Sequence, residues 1–570
     1  MIGYICKYTP IEIFTSLGVE TKRIEPNVTS YDKAETMMHA NLCSYVKGVL
    51  EDVILNDYDG VVLTSCCDST RRLYDTLKDI FQDKFIYILD LPRKISDESI
   101  KIYENIVKEM IYAYENFSKK TFEEEKLKEI CDSLKIDSIK PSNGINIGMM
   151  GARCNDGIIE LVKSSNVNVL FNISCTGDER KYELNDKDIY HKYIKDLFSK
   201  LPCLRMTDIN ERKNFLKEQK KNLDGIIYHT VKFCDIYSYE YAEMRENYDV
   251  PILKVETDYT KQCEGQIKTR VEAFIEAIKT NREKGDSKMK NVFNVESKNN
   301  SIKKGEDIKY VIGIDSGSTS TNAVIVNTNK EIVAYTVIRT GAKSSESANR
   351  ILDEILNKSK LNRNDISLIV ATGYGRVSIS FSDKEVTEIS CHGKGAHYLN
   401  SKIRTIIDIG GQDSKVIKLN EKGEVIDFVM NDKCAAGTGR FLEMMARTLE
   451  IDIKDMGPES LKWSEDIKIS SMCSVFAESE VISLIAQNKE KADIIHALNQ
   501  SISSKTNALL GRIGKESEFM MTGGVAQNIG VVKALEEKLG EKLFISDEPE
   551  IVGAIGAALF GVEELEKKEN

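Results

Sequence analysis

The chain has 570 residues, 41% hydrophobic and 30% charged, which is the make-up of a soluble protein too long for a single hydrophobic core, so at least two domains are expected. Its formal charge of −11 argues against nucleic acid or an anionic membrane surface as a partner, because neither polyanion gains from such a surface. The opening MIGYICKYTPIEIF has no basic stretch leading into an apolar run, and no run of about 18 apolar residues occurs anywhere, so a cytoplasmic location without membrane insertion is expected.

In chain order, the runs YDGVVLTS, KFIYILDL, GINIGMMG, VNVLFNIS, LDGIIYHT and VPILKVET read as buried parallel strands. Helical stretches such as STRRLYDTLKDIF, and a long one over residues 97–135, alternate with them. The alternation predicts an α/β fold with doubly wound, Rossmann- or flavodoxin-like layers in two lobes. Ten of the 13 cysteines precede residue 270, and in a cytoplasmic protein such enrichment points to metal or redox chemistry rather than disulfides. Cys66 and Cys67 follow VVLTS, Cys175 follows VLFNIS, and Cys234 follows GIIYHTVKF. All four lie beyond strand carboxyl ends, the edge where open α/β sheets hold ligands, so a metal cluster is expected there. Cys6, Cys131, Cys154 and Cys263 have no ligand-like surroundings and read as structural, as do His39, His229, His392 and His397.

The segments NLCSYVKG, TSCCDSTRRLYD, SCTGDER, LPCLRM, HTVKFCDIY and VETDYTKQCEGQIKTRVEAF resemble the 2-hydroxyacyl-CoA dehydratase family and the related double-cubane reductases, from residue 2 to about residue 280. That resemblance implies Cys43, Cys67 and Cys234 as a three-cysteine set leaving one iron open to substrate, with Cys66, Cys175 and Cys203 as the next candidates. It implies either a [4Fe–4S] or a double-cubane [8Fe–9S] cluster. Residues 1–283 are read as this domain, and 284–307, rich in Lys, Asn, Ser and Gly, as a linker.

Residues 308–565 open a different pattern, which occurs twice: VIGIDSGSTSTNAVIV and TIIDIGGQDSKVIKL, each a strand, an acidic residue, a Gly-containing turn and a second strand. In the first, Asp315 precedes Ser316, Gly317, Ser318 and Thr319, small residues that let backbone N–H groups approach a phosphate. In the second, Asp408 precedes Gly410, Gly411, Gln412 and Asp413, with carboxylates suited to Mg²⁺ or its waters. MMTGGVAQN supplies Gly523, Gly524, Val525 and Asn528 for the nucleoside. Three such turns in this order resemble the phosphate and adenosine motifs of the actin and hexokinase superfamily, implying a two-lobed, RNase H-like ATPase that binds ATP. A sugar kinase would need a carbohydrate-binding insert that is not evident, so Gln412 and Asp413 are read as positioning a hydrolytic water. Glu388, near His392, is a candidate nucleotide sensor.

Cys434, in NDKCAAGTGRFLEMMARTLE, and Cys473, in SSMCSVFAESEVISLIAQ, each lie just ahead of an expected helix, where the partial positive charge favours thiolate. A [4Fe–4S] cluster takes four thiolates, whereas this half offers these two and a remote Cys391, so a homodimer sharing one cluster on its twofold axis is expected. From residue 308 to 563 the chain resembles the activators of 2-hydroxyacyl-CoA dehydratases, whose cluster ligands correspond to Cys434 and Cys473. The expected function is ATP-dependent transfer of low-potential electrons from the dimer-bridging cluster to the amino-terminal iron–sulfur domain, which reduces a small molecule. A dehydratase component with a built-in activator and a nucleotide-regulated redox sensor without catalysis are the alternatives. By resemblance, a ferredoxin or flavodoxin is the expected donor, and a separate dehydratase-like acceptor protein a further partner.

Overall fold

A computed structural model describes residues 1–569 except 27, 40–41, 135–140, 143, 155, 178–180, 185–186, 207–209, 233, 249, 260–263, 286–307, 342, 432–434 and 470–473. The expected linker falls almost wholly outside the described residues. The chain divides into two compact units, Met1–Phe274 and Ile275–Asn570, each described by itself below.

The first unit contains two four-stranded parallel sheets. One has the order β2-β1-β3-β4, from β1 (Ile2–Tyr4), β2 (Thr21–Arg23), β3 (Gly60–Thr64) and β4 (Phe85–Leu89). The other has the order β6-β5-β7-β8, from β5 (Asn146–Gly151), β6 (Asn168–Asn172), β7 (Gly225–Val231) and β8 (Ile252–Thr257). All six strands expected from apolar runs are present; β3, β5 and β7 are buried throughout, as expected of strands inside a parallel sheet, whereas the edge strands β4 and β8 are partly buried. Strands β1 and β2 are three residues each, too short to leave a periodic signature. The expected long helical stretch is two helices, Asp97–Ser118 and Glu124–Ser133. The first begins at Ser96, whose hydroxyl accepts from the Ser99 N–H.

The second unit repeats one design. Strands β9 (Tyr310–Ser316), β10 (Ser320–Asn327) and β11 (Ile332–Arg339) form an antiparallel meander; β12 (Ile366–Thr372) joins β9 in parallel, and β13 (Lys384–Glu385) joins β12. Strands β14 (Thr405–Ile409), β15 (Ser414–Leu419) and β16 (Val425–Asn431) form the second meander, with β17 (Phe519–Thr522) parallel to β14. The shared order, meander then parallel strand, is the two-lobed ATPase fold expected from the repeated motif. Each lobe has an apolar core, one around Ile312, Ile314 and Ile369 and the other around Ile407, Phe441 and Leu498. Among the described residues no helix is long and apolar enough to cross a membrane.

Candidate functional site

Two sites emerge, one in each unit. In the second unit, a cleft of about 370 Å³ is lined by Asp315, Gly317, Ser318, Thr319, Asp408, Gly410, Gly411, Asp413, Gly523, Gly524, Val525 and Asn528. The sequence motifs thus meet on one space. The β9–β10 hairpin closes through the Gly317 N–H donating to the Ser320 carbonyl at 3.0 Å, and the β14–β15 hairpin through Gly410 N–H to the Asp413 carbonyl at 3.0 Å. The two turns nearly touch: a Cβ at Gly411 would lie 1.9 Å from Thr319 Oγ1, so only glycine permits the approach. Gly523 takes φ +82°, a left-handed conformation that turns the chain out of β17 beneath the cleft. Of the remaining residues proposed for this site, Ser316 is buried behind the first turn, and Gln412 is exposed at the tip of the second, outside the lining residues.

The floor of the cleft is a buried charge network that the sequence did not disclose. Lys415 Nζ, on β15, lies 2.8 Å from Asp413 Oδ2, 3.1 Å from Asp408 Oδ2 and 3.3 Å from Glu388 Oε1. Asp408 also accepts from the Thr522 hydroxyl at 2.8 Å and faces His392 Nε2 at 3.4 Å, while His392 Nδ1 lies 2.8 Å from the Glu388 carbonyl. Burial alone would discharge His392, but Asp408 outweighs it and lifts the imidazole to about 9. Burial likewise raises Glu388 to about 7 against the opposing pull of Lys415. Asp408 goes the other way: burial penalises its charge, yet His392 and Lys415 hold it well below the carboxylate range. His392, read from sequence as structural, is therefore part of the site.

Three buried polar atoms of residues lining this cleft have no hydrogen-bond partner: Thr319 Oγ1, Asn322 Oδ1 and Asn528 Nδ2. Unsatisfied groups of this kind are costly and mark a surface built to meet a ligand. The other face of Asn528 caps the helix Ile529–Leu539, its Oδ1 accepting from Gly530 N–H at 3.0 Å and Val531 N–H at 3.2 Å.

The first unit gathers thiols. A cavity of about 70 Å³ is lined by Cys43, Cys66, Cys67, Cys175, Cys203 and Cys234, all six of the amino-terminal candidates, together with Cys6. Topology explains the gathering. Cys6 follows β1, Cys66 and Cys67 follow β3, Cys175 follows β6 and Cys234 follows β7, so the carboxyl edges of both parallel sheets deliver sulfur to one place. Three of the thiols also sit at helix starts: Cys43 before Ser44–Leu55, Cys67 before Asp68–Ile80 and Cys234 before Asp235–Asn247. Helix amino-termini favour thiolate and stabilise an anionic group.

The adjacent pair is electrostatically split. Cys66 Sγ and Cys67 Sγ each lie 3.6 Å from the Thr70 hydroxyl, and the interaction of the two neighbouring thiols, with Arg205 assisting, lowers Cys67 to about 5 and leaves Cys66 raised well above the usual range. Burial pushes Cys203 up to about 11 and Cys234 up to about 12. Arg205 donates to the Cys66 carbonyl at 2.7 Å, Lys7 Nζ to the Leu201 carbonyl at 2.7 Å, and the Tyr237 hydroxyl is hydrogen-bonded to Cys175 Sγ. Among the described residues no three His, Cys, Asp or Glu side chains are placed to hold a single metal ion. The thiols instead surround a volume several times the ~10–15 Å³ one water needs. An all-thiol donor set with buried cations beside it fits a multi-atom iron–sulfur group.

Cys154 is buried, its Sγ 3.4 Å from the Met150 carbonyl, and Cys131 lies in an apolar core, neither lining the cavity. Cys263, Cys434 and Cys473 lie outside the described residues. Around the last two, the described chain resumes as the helices Gly439–Thr448 and Ser474–Ala486. Gly439 N–H donates to the Gly410 carbonyl at 2.8 Å and Arg440 N–H to the Gly411 carbonyl at 2.9 Å, so the helix Gly439–Thr448 is tied to the turn between β14 and β15.

Comparison with known proteins agrees with this division. The BadF/BadG/BcrA/BcrD ATPase family matches residues 312–561, and the 2-hydroxyglutaryl-CoA dehydratase D-component matches residues 6–136 and 130–278. The chain is 42% identical to the 2-hydroxyisocaproyl-CoA dehydratase activator of Clostridioides difficile, over 46% of this chain and 97% of that protein. It is 48% identical to the activator of lactoyl-CoA dehydratase from Anaerotignum propionicum, over 45% of this chain and all of that protein (100%). A solved structure of the C. difficile activator with bound ADPNP covers 46% of this chain and 97% of its own at 42% identity, with a TM-score of 0.44.

Proposed function

We propose, on the premise that this chain belongs to the BadF/BadG/BcrA/BcrD ATPase family and fuses it to a 2-hydroxyglutaryl-CoA dehydratase D-component region, that it spends ATP to drive low-potential electrons into its own amino-terminal thiol cavity. The observation that carries this reading is the convergence of thiols from two sheets on one cavity, in a chain that also carries a nucleotide cleft. An iron–sulfur group in each place supplies one-electron chemistry at low potential. Cys434 and Cys473, paired with the same residues of a second copy, would hold the donor group in a homodimer. Cys43, Cys67 and Cys234 would hold the acceptor, with Cys66, Cys175 and Cys203 beside them.

The residues of the cleft account for the nucleotide's part. Ser318 and Gly411, at the tips of the two turns, offer backbone N–H groups to phosphate oxygens, and Asp315, Asp408 and Asp413 offer carboxylates to Mg²⁺ or its waters. Asp413 orients the attacking water, assisted by Gln412 once the cleft closes over the nucleotide. The hydrogen bonds from Gly439 and Arg440 to the second phosphate turn link the nucleotide's state to the helix after Cys434. A coupling of about 1–3 kcal/mol through such a link corresponds to roughly 40–130 mV for a one-electron couple. A ferredoxin or flavodoxin is the proposed electron donor, and a separate dehydratase-like protein a further acceptor.

The dehydratase match favours a second reading, in which the cavity removes water from a 2-hydroxyacyl-CoA after one recycled electron. Turnover separates the two. With reduced donor and ATP, reduction of a small molecule in proportion to ATP hydrolysed supports the reductase. Water loss from a 2-hydroxyacyl-CoA, with only trace electron consumption, supports the dehydratase. ATP hydrolysis accompanied by neither rejects both.

A further inference from the structure

The helix Glu388–Leu399 carries two members of the charge network beneath the nucleotide cleft, Glu388 in its first turn and His392 in its second. Its start is held by a side chain from elsewhere in the chain. Glu276 Oε2 accepts from the Thr387 hydroxyl at 2.6 Å and from the Ser390 hydroxyl at 2.6 Å, and Oε1 from the Thr387 N–H at 3.2 Å. Thr387 is the residue before the helix, and its hydroxyl caps none of the helix's own N–H groups, being given to Glu276 instead. A carboxylate there also meets the positive end of the helix dipole, so Glu276 does what a capping side chain of the helix itself ordinarily does.

From that anchored start the helix reaches the cleft directly. Glu388 Oε1 lies 3.3 Å from Lys415 Nζ, and the Glu388 carbonyl lies 2.8 Å from His392 Nδ1, whose Nε2 faces Asp408 at 3.4 Å. Glu388 and His392 both line the cleft beside Asp408 and Asp413. Glu276 itself stands on the helix Glu264–Gly285 and within the second compact unit, which begins at Ile275. It nonetheless precedes residue 312, where the ATPase family match begins, and falls inside the dehydratase D-component match, which ends at residue 278. The hold on the cleft helix therefore comes from outside the span that the ATPase family describes.

We propose that Glu276 is a positioning residue for ATP hydrolysis. By holding Thr387 and Ser390 it sets where Glu388 and His392 stand against Lys415 and Asp408, so turnover answers to the seating of a helix outside the ATPase match. This deepens the reading of the cleft as the ATP site and rests on it. Ser318, Gly411 and Gly523, on the glycine-rich turns, belong to other elements than the held helix. Nucleotide affinity follows those turns, and turnover follows the helix.

The test is steady-state ATP hydrolysis by the full-length protein with Mg²⁺, comparing the parent with Glu276→Gln and Ser390→Ala. Glu276→Gln keeps the shape, removes the charge and puts an amide donor where two hydroxyls and an N–H had donated. It should lower kcat about fivefold or more while KM stays within about twofold, and Ser390→Ala should act in the same direction to a smaller degree. The double variant should lose less than the two single losses combined, because both changes remove one shared contact. Near-UV circular dichroism checks folding, and Ser390→Ala decides the matter alone if Glu276→Gln does not fold. Folded variants with parental kcat, changed only in thermal midpoint, overturn the proposal and leave Glu276 a structural cap. A rise in KM with kcat unchanged overturns it as well. A parent that hydrolyses no ATP overturns the reading of the cleft as a hydrolytic site, and this inference with it.

Discussion

Lys415 is the residue on which the nucleotide cleft depends, since its ammonium lies within 3.3 Å of three carboxylates and is almost fully buried. Removing one partner of a buried charge group leaves the others uncompensated, at a cost of about 3–5 kcal/mol. Lys415→Met should therefore lower the thermal midpoint of the nucleotide-free ATPase unit markedly, and Mg²⁺ with nucleotide should recover part of the loss by restoring positive charge. Unfolding measured with and without Mg²⁺–ADP checks both halves. Titration at the same network has a definite sign. His392 is raised to about 9, so its contribution is complete below its unfolded value near 6.5 and is lost as pH rises through 9. Glu388, raised to about 7, loses its contribution between about 4.5 and 7, in the same direction. The nucleotide-free protein should thus unfold more readily at pH 9 than at pH 6, by an amount on the order of 3 kcal/mol for His392 alone. His392→Gln should flatten the upper part of that profile. Neither the place of Lys415 in the charge network nor that of Cys6 at the thiol cavity was legible beforehand, for a shared reason. A lysine in a strand and a cysteine in a loop acquire meaning only from what other strands bring opposite them, as β14 places Asp408 against Lys415.

At the scale of elements, turns and helix starts do the positioning. The two phosphate hairpins approach so closely that a methyl group at Gly411 collides with Thr319, whose hydroxyl a Cβ would meet at 1.9 Å. Gly411→Ala should part the turns and weaken ATP binding by more than about tenfold, roughly 1.4 kcal/mol, with little change in overall fold. Titration calorimetry against circular dichroism distinguishes that outcome from misfolding. In the first unit, Cys43, Cys67 and Cys234 share a position immediately before a helix. Cys67 in the iron-free protein should be alkylated by iodoacetamide well below the pH at which ordinary thiols react, with Cys66 spared, because the Cys66 thiol holds Cys67 near 5. Peptide mapping reads this directly. The six longer strands of this unit were legible because parallel strands read as continuous apolar runs. Strands β1 and β2 were not, being three residues each, yet the loop after β1 carries Cys6 and Lys7 to the thiol cavity. The glycine-rich turns were legible because a backbone that must approach phosphate admits few other residues.

Over the whole molecule, two designs are joined: parallel sheets whose edges collect sulfur, and a duplicated meander that carries a cleft lined by the glycine-rich turns. The duplication was visible in the repeated strand, acid and glycine pattern. The grouping of thiols was only half visible, because sequence places cysteines after strands but does not say which strands share an edge. Cys434→Ser should leave nucleotide affinity within about twofold of the parent while abolishing the iron shared between two copies. Iron per dimer and titration with Mg²⁺–ADP check this. The most direct test of the account is EPR of the anaerobic, iron-loaded protein, frozen after mixing reduced donor with Mg²⁺–ATP, Mg²⁺–ADP or no nucleotide. The account predicts that the signal lost in Cys67→Ala protein grows only when ATP is present and can be hydrolysed. Equal growth of that signal without nucleotide contradicts it.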